Sequence, residues 1–251
     1  MILLWLAIIA AAGARPAPIE SIRARGLLAA DTLYLFGEVH RCGAGDSALP
    51  EAQIFISTDG KSWHKRGPAM PGSQILFAGP QDRTIWAAGE HTAEGPATDP
   101  FVLAPRKAAE EARPDWALRT VAEGPGELIE VAMPNMAKMV PVARGKEVTS
   151  PEAARPDTKE VIARVRPTGP HGERRPGPDR EYVSHDAGGT WSLALPGELG
   201  QKAGWFDLPP ISMHSGPWRL VDRPDGGFDV QMHSAAGFST VSSFPWTPCP
   251  K

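Results

Sequence analysis

Apolar and polar residues alternate with a period of two along most of the chain, and the spacing typical of amphipathic helices is almost absent. Two runs rich in aromatic and β-branched residues, 32–39 and 53–57, predict strands. Three further pairs of alternating runs are separated by short segments with proline, glycine or asparagine, and each pair predicts a hairpin. These pairs are 74–79 with 84–89, 127–133 with 139–143, and 218–222 with 228–233. The pattern therefore predicts an all-β fold.

Two segments depart from this alternation. Residues 106–113 are the only run of helix-favouring residues, but Pro105 and Pro114 bound it, so we expect a short helix in a surface loop. Residues 146–180 are charged and rich in proline, and the part 166–180 offers few apolar side chains to bury. We expect this segment to be a mobile insertion. Its arginines leave two roles open, a contact with an acidic partner and a solvated loop.

Composition indicates a folded protein that is rich in loops. Of the 251 residues, 41% are hydrophobic and 22% are charged, which are ordinary globular values, while 26 glycines and 27 prolines exceed average usage. The formal net charge of -3 argues against a nucleic acid or an anionic membrane surface as the main partner.

The first 14 residues, Met1–Ala14, have the features of a signal peptide: they are apolar and end in the small residues that signal peptidase recognises. No Lys or Arg precedes the apolar run, so a buried N-terminal helix is the alternative. The run is shorter than the roughly 20 residues that cross a bilayer, and no later segment is longer, so we expect no membrane span. We therefore expect an exported protein, periplasmic or secreted, with a single domain over residues 15–251.

Two segments share a short motif that follows a predicted strand. Residues 184–191 have the sequence SHDAGGTW after the strand 181–183, and residues 57–63 have the sequence STDGKSW after 53–56. The first matches S-x-D-x-G-x-T-W at every position, and the second is one residue shorter, with serine in place of threonine. Both resemble the Asp box of sialidase-like, or BNR-repeat, β-propellers. The residues that carry the resemblance are Ser57, Asp59, Gly60, Trp63, Ser184, Asp186, Gly188, Thr190 and Trp191.

Each box suits a hairpin turn between the outer strands of a propeller blade. The Asp carboxylate can accept hydrogen bonds from turn amides, glycine permits a positive φ, and the hydroxyls tie the strand ends together. The indole packs against neighbouring elements, so we expect Trp63 and Trp191 to be buried. In the family that the boxes resemble, the box is structural and lies away from the active face. It therefore indicates the fold and says little about chemistry.

Tryptophan spacing extends the resemblance to a repeat. Degenerate boxes that begin at 101–104 and 237–241 end at Trp116 and Trp246. The four box tryptophans are then roughly 55 residues apart, except across the 146–180 insertion. This implies a small β-propeller of about four four-stranded blades, or five with one degenerate. A closed ring and an incomplete arc both stay open, and a β-sandwich with coincidental boxes is the rival fold.

The two cysteines, Cys42 and Cys249, lie near opposite ends of the mature chain. In an oxidising compartment an even number of cysteines favours a disulfide, and two unrelated thiols are the alternative. A bridge here would close nearly the whole chain, for which the chain-entropy model gives about 5 kcal/mol. It would also suit a propeller, which must fasten its first blade to its last.

The resemblance raises a sialidase-like glycoside hydrolase as the alternative function, because such enzymes use a Tyr nucleophile with a Glu and an arginine cluster. Of the two tyrosines, Tyr182 belongs to the strand before the second box, where the family does not keep its nucleophile. Tyr34 with nearby Glu38 is the remaining candidate. The Arg-Ile-Pro signature that introduces the first blade is missing from the sequence, so we assign no catalytic residue.

Other candidate chemistry is weak. The seven histidines form no spaced metal-ligand motif. Met133, Met136 and Met139 are spaced like copper-binding methionines, but they lie across a predicted turn, where packing is the expected role. The glycines of 43–48 imitate a dinucleotide loop, but Pro50 and the strand that follows leave no room for the required helix. We therefore expect no metal and no cofactor, while a dispersed Ser-His-Asp triad stays open.

Eight tryptophans permit a binding face for sugar or peptide. Trp205 and Trp218 are the best candidates for exposure, with core packing as the alternative. The sequence as a whole indicates an exported, non-catalytic β-propeller that serves as a recognition or assembly module for a protein or carbohydrate partner.

Overall fold

Strands account for the regular structure of the described chain. The computed structural model describes residues 20–42, 49–81, 84–92, 97–105, 116–122, 124–134, 160–186, 188–195 and 205–248. Within these ranges there are strands and no helices, which confirms the predicted all-β class. It follows that no helix in this part of the chain is long and apolar enough to cross a membrane. The expected leader, the 106–113 run, the 139–143 strand, the 43–48 loop and Cys249 lie outside the described residues.

The strands form four antiparallel sheets, three of four strands and one of five. In each sheet, four strands that follow one another along the chain lie side by side. Sheet 1 contains β1 (Glu20–Ala29), β2 (Leu33–Arg41), β3 (Glu51–Ser57) and β4 (His64–Pro71). Sheet 2 contains β5 (Ser73–Gln81), β6 (Thr84–Thr92), β7 (Thr98–Pro105) and β8 (Trp116–Thr120).

Sheet 3 is the five-stranded one, because a later strand, β13 (Trp205–Asp207), pairs with the free edge of β9. Its other strands are β9 (Gly126–Pro134), β10 (Val161–Pro167), β11 (Arg180–Ser184) and β12 (Ser192–Leu193). Sheet 4 contains β14 (His214–Ser215), β15 (Trp218–Asp222), β16 (Phe228–Ser234) and β17 (Gly237–Phe244). Two predicted hairpins, β5–β6 and β15–β16, are confirmed.

The four sheets pack face to face in the order 4-1-2-3, and a buried apolar cluster fills each of the three interfaces between them. Alternation along each strand sends one set of side chains to each face, so sheets 1 and 2 have two buried faces. Among the described residues, none of the three clusters joins sheet 3 to sheet 4. The central members are Leu35, Phe55, Leu220 and Phe228 between sheets 4 and 1, Phe36, Ile54, Ile85 and Phe101 between sheets 1 and 2, and Trp86, Val102, Val131 and Val165 between sheets 2 and 3.

The expected insertion at 146–180 is wrong for part of its length, because residues 161–167 form β10 in the middle of sheet 3. Its apolar side chains are buried, while the intervening Arg164 and Arg166 form ion pairs with carboxylates of neighbouring segments. A half-buried strand whose polar positions are arginines resembles a charged loop in sequence. Pairing across the sheet is what makes it a strand.

In three sheets a tryptophan lies at the start of the fourth strand or shortly before it, as the repeat predicts, but sheet 4 differs. Trp63 and Trp191 precede the fourth strands of sheets 1 and 3, and Trp116 begins the fourth strand of sheet 2. In sheet 4, however, residues 237–241 belong to β17, the fourth strand itself, and Trp246 comes after it. The expected degenerate box at this end of the chain is therefore wrong.

Candidate functional site

The first box is a turn organised by one serine and one aspartate. The Ser57 hydroxyl donates to Asp59 Oδ1 at 2.9 Å and accepts from the Gly60 amide at 2.8 Å. Asp59 Oδ1 also accepts from the Lys61 and Ser62 amides, both at 2.8 Å. The bonds from the Ser62 and Lys61 amides, and then from Ser57, lower the pKa of Asp59 to about 2. Gly60 has φ of 71°, the left-handed conformation that favours glycine.

The second box repeats this arrangement at the corresponding place in sheet 3. The Ser184 hydroxyl donates to Asp186 Oδ1 at 2.9 Å and accepts from the Gly188 amide at 2.8 Å. The Thr190 amide and hydroxyl both donate to Asp186, at 2.8 and 3.1 Å. Burial acts to raise the pKa of Asp186, but the hydrogen bonds from Thr190 and Ser184 lower it overall.

Both box tryptophans fold back over their own turns. The indole N–H of Trp63 donates to the Gly60 carbonyl at 3.0 Å, and that of Trp191 donates to the Gly188 carbonyl at 3.2 Å. Both side chains are half-buried, so the expectation that they are buried is wrong. A ring that covers an exposed turn keeps one side in water.

The first box also joins sheet 1 to sheet 4. The Trp63 indole N–H reaches the Ser242 hydroxyl at 3.2 Å, and its ring meets Phe244 edge-on at 6.3 Å. Trp218 lies so close to Gly60 that an added Cβ would be 2.5 Å from the indole. Trp218 is therefore a packing residue and is half-buried, while the side chain of Trp205 lies outside the described part. In both boxes the serine hydroxyl, the aspartate carboxylate and the indole N–H are engaged in hydrogen bonds within the protein.

The two tyrosines lie in the core. Tyr34 is 9% exposed and meets Trp116 edge-on at 6.4 Å, and burial, followed by the charge of Asp31, raises its pKa. Tyr182 is buried in the cluster between sheets 2 and 3. Glu38 is ion-paired with Arg25 at 2.7 Å. In the described chain, neither phenol is placed as a nucleophile for a bound sugar.

One row of serine, histidine and aspartate appears across three strands of sheet 2. Ser73, His91 and Asp99 are register partners on β5, β6 and β7, and the Ser73 hydroxyl lies 2.9 Å from His91 Nδ1. Ser73 is buried, and within the described residues His91 and Asp99 form no ion pair. A nucleophile needs an accessible hydroxyl and an oriented base. Ser73 is not accessible and His91 is not oriented by Asp99, so the row is not a catalytic triad. The sequence does not show that these three residues are register partners.

Metal ligands are not clustered in the described ranges, where no group of three or more His, Cys, Asp or Glu side chains could hold an ion. Of the three spaced methionines, Met133 is 1% exposed in the cluster between sheets 2 and 3. Its expected packing role is confirmed. Met136 and Met139 lie outside the described residues.

The segment 205–215, called the strap below, crosses the first strands of three sheets. It pairs with β9, then with β5, and then with β1, before it enters sheet 4. Pro209 and Pro210 have no N–H to donate, so the strap cannot continue the ladder of any one sheet. Its backbone bonds are Leu208 N to Val131 O at 2.8 Å, Ala78 N to Pro209 O at 3.0 Å, Ile211 N to Leu76 O at 2.9 Å, and Leu27 N to Ser212 O at 2.7 Å.

A pocket of about 150 Å³ lies between the strap and the sheets it crosses. We call it the strap pocket. Phe36, Leu27 and Ala78 form its buried walls, with exposures of 1%, 2% and 3%. Its rim is exposed and consists of strap residues. The described lining residues are Leu27, Leu28, Phe36, Ala78, Pro209, Pro210, Ile211, Ser212, His214 and Ser215.

The chemistry of the strap pocket is that of a shaped apolar cavity. His214 is its one titratable lining side chain, and Ser212 and Ser215 supply hydroxyls. The Ser212 hydroxyl accepts from the His214 amide at 3.1 Å, and the Ser215 hydroxyl accepts from the Ala29 amide at 2.8 Å. Sequence reasoning missed this site because its walls come from distant parts of the chain. The adjacent prolines in an all-β sequence were the one available signal.

Comparison with known proteins gives no further guide to the site. No protein-family model matches the chain, and no curated protein is significantly similar to it.

Proposed function

We propose that the chain is an exported, non-catalytic β-propeller that recognises a partner protein, and that the strap pocket receives one apolar side chain of that partner. The observation that carries the proposal is the pocket itself, a cavity of about 150 Å³ with apolar walls and an exposed rim. Binding pockets of proteins are mostly apolar with few polar groups, and this one, smaller than the roughly 300 Å³ of a typical ligand pocket, has room for a single side chain.

Three features support the propeller architecture. Each sheet contains a meander of four consecutive strands, which is the composition of a blade, and sheet 3 adds β13 to it. The two boxes link the third and fourth strands of sheets 1 and 3, as the resemblance to BNR repeats implies. The strap runs along the first strands of sheets 3, 2 and 1, as a segment near a propeller axis would. The proposed ring has four blades, and its closure requires sheet 4 to meet sheet 3, which none of the three buried clusters joins among the described residues.

Lining chemistry favours a protein partner over a carbohydrate. Sugar sites combine an exposed aromatic platform with several hydrogen-bonding side chains, whereas the described lining of the strap pocket has one phenyl ring, that of Phe36, which is buried in the core, and one imidazole, that of His214. Cavities of about 150 Å³ lined by Leu, Ile and Phe are known to hold a benzene ring. The strap pocket therefore suits a leucine, methionine or phenylalanine side chain.

The test is a titration of the isotope-labelled protein by NMR with two probes, N-acetyl-phenylalanine amide and a methyl sialoside. We expect the first probe to shift the amides of Leu27, Leu28 and Ile211 in fast exchange, and the second to shift none of them. Shifts confined to other parts of the protein, or release of sialic acid from the sialoside, would overturn the proposal.

A pair of matched variants shows whether the binding is specific. Ser212→Phe places a ring at the rim of the strap pocket, and Ser192→Phe places the same ring on exposed β12 in sheet 3. Both serines are exposed, so both variants should fold. We expect Ser212→Phe to abolish the shifts and Ser192→Phe to leave them unchanged. Equal loss in both variants would count against the pocket.

A further inference from the structure

The outermost strands of three sheets are protected against pairing with another chain. β4 carries Lys65, Arg66 and Pro68 and has a bulge opposite β3, all of which oppose strand addition. β8 has five residues and includes the exposed Arg119, and β12 has only two residues. Short, charged or bulged edges of this kind are the usual means by which proteins prevent edge-to-edge contact.

β17 has little of this protection. Its eight residues, Gly237–Phe244, have the sequence GFSTVSSF, with no charge and no proline. Phe238 is 44% exposed, and Ser239 and Thr240 are exposed as well. A single bulge at Val241 interrupts its pairing with β16. Within the described chain, no segment other than β16 is hydrogen-bonded to the backbone of β17.

An arginine is held beside this edge without a carboxylate. The Arg219 guanidinium lies over the Phe238 ring at 3.7 Å, and its Nε donates to Gln231 Oε1 at 2.9 Å. His233, the register partner of Phe238 on β16, meets the Phe238 ring edge-on at 4.8 Å. Arg25, Arg41, Arg164, Arg166 and Arg223 each form an ion pair, whereas Arg219 forms none among the described residues.

These observations define one surface, the β17 edge together with Arg219, and two requirements on its occupant. The backbone edge accepts an extended strand, because an added strand satisfies its N–H and C=O groups. Arg219 is already ordered by a ring and an amide, so it can pair with a carboxylate at little cost in side-chain entropy. A second copy of β17 meets the first requirement and fails the second, since β17 has no acidic residue.

We propose that the β17 edge binds an extended segment of a partner protein by strand addition, and that an acidic side chain of this segment pairs with Arg219. Arg219 is the register partner of His214, which lines the strap pocket, but the β17 edge is at the opposite side of sheet 4 from β14, and the proposal does not depend on the pocket. Backbone hydrogen bonds along β17 supply the affinity, and the charge of Arg219 gives preference to a segment that carries an acidic side chain.

The test uses a capped octapeptide of alternating threonine and valine with one central aspartate, and follows binding by NMR and by hydrogen exchange of the β17 amides. We expect slower exchange in β17 and a dissociation constant that rises about tenfold when the aspartate is replaced by asparagine. N-methylation of alternate peptide amides should abolish binding, because it removes the backbone donors. Binding that is indifferent to both changes would overturn the proposal.

Two protein variants and one measurement complete the design. Arg219→Gln should remove the preference for aspartate, while the control Arg119→Gln, on exposed β8, should preserve it. Analytical ultracentrifugation of the protein without peptide tests whether a second copy of the chain binds the β17 edge instead. A dimer whose formation depends on the β17 edge and excludes the peptide would show that a second copy, and not an acidic segment, occupies this surface.

Discussion

Asp186→Ala tests whether the second box stabilises the fold, as its hydrogen bonds indicate. Asp186 accepts from the Ser184 hydroxyl, the Thr190 amide and the Thr190 hydroxyl at 2.8 to 3.1 Å. Ser184 is 1% exposed, so its hydroxyl loses a partner that water cannot easily replace. Thr190 is exposed, and water can compensate its two lost bonds. One buried and two solvated bonds together give a loss of about 1 to 3 kcal/mol in the free energy of unfolding.

The assay is urea denaturation at pH 7, followed by tryptophan fluorescence and by far-ultraviolet circular dichroism. Asp186→Asn is the control, because it keeps an oxygen that can accept from Ser184 and loses only the charge. We expect the asparagine variant to lie between the wild type and the alanine variant. An unchanged midpoint for Asp186→Ala would show that the turn stands without its carboxylate, and the box would then be a coincidence of sequence.

Two further predictions concern the first box and the chain ends. The pKa of Asp59 falls to about 2 in the folded protein, below its unfolded value near 4, so its contribution to stability is complete above about pH 4 and is lost as the pH falls toward 2. The stability difference between wild type and Asp59→Asn should therefore shrink over that range, and a constant difference would contradict the assigned hydrogen bonds. The bridge between Cys42 and Cys249 stays a prediction, to be checked by non-reducing peptide mapping of the exported protein. Free thiols at both positions would refute it.

The two ends of the described chain lie close to each other. The Ser21 hydroxyl donates to the Thr247 carbonyl at 2.7 Å and accepts from the Thr247 amide at 3.0 Å. Ser21 is the register partner of His40 on β2, and the His40 ring meets Trp246 edge-on at 5.1 Å. In the sequence, Cys42 follows His40 by two residues and Cys249 follows Thr247 by two.

Strands with aromatic and branched residues could be predicted from the sequence, because their side chains satisfy the alternation within a single strand. β2, β5 and β15 are of this kind. The boxes could be predicted as well, since a turn closed by a serine and an aspartate depends only on neighbours in sequence.

Features that depend on contacts between distant strands could not be predicted. β10 was missed because its arginines are satisfied by Glu130, Glu127 and Asp179, none of which is adjacent in sequence. β1 was missed for a similar reason, since Arg25 depends on Glu38 of β2. The strap pocket combines Leu27 with Pro210, which only the packing of three sheets brings together.

The stacking order 4-1-2-3 has a consequence for synthesis of the chain. Sheet 1 is made first, but the sheet that covers its Leu35 and Phe55 face is made last, with Leu220 and Phe228. Until residues 218–244 are available to fold, no other described segment covers the Leu35 and Phe55 side chains on this face. Nascent chains with such a face are prone to aggregate. Truncation before β15 should therefore cost solubility as well as stability, and a chaperone that shields sheet 1 would matter most before sheet 4 has packed against it.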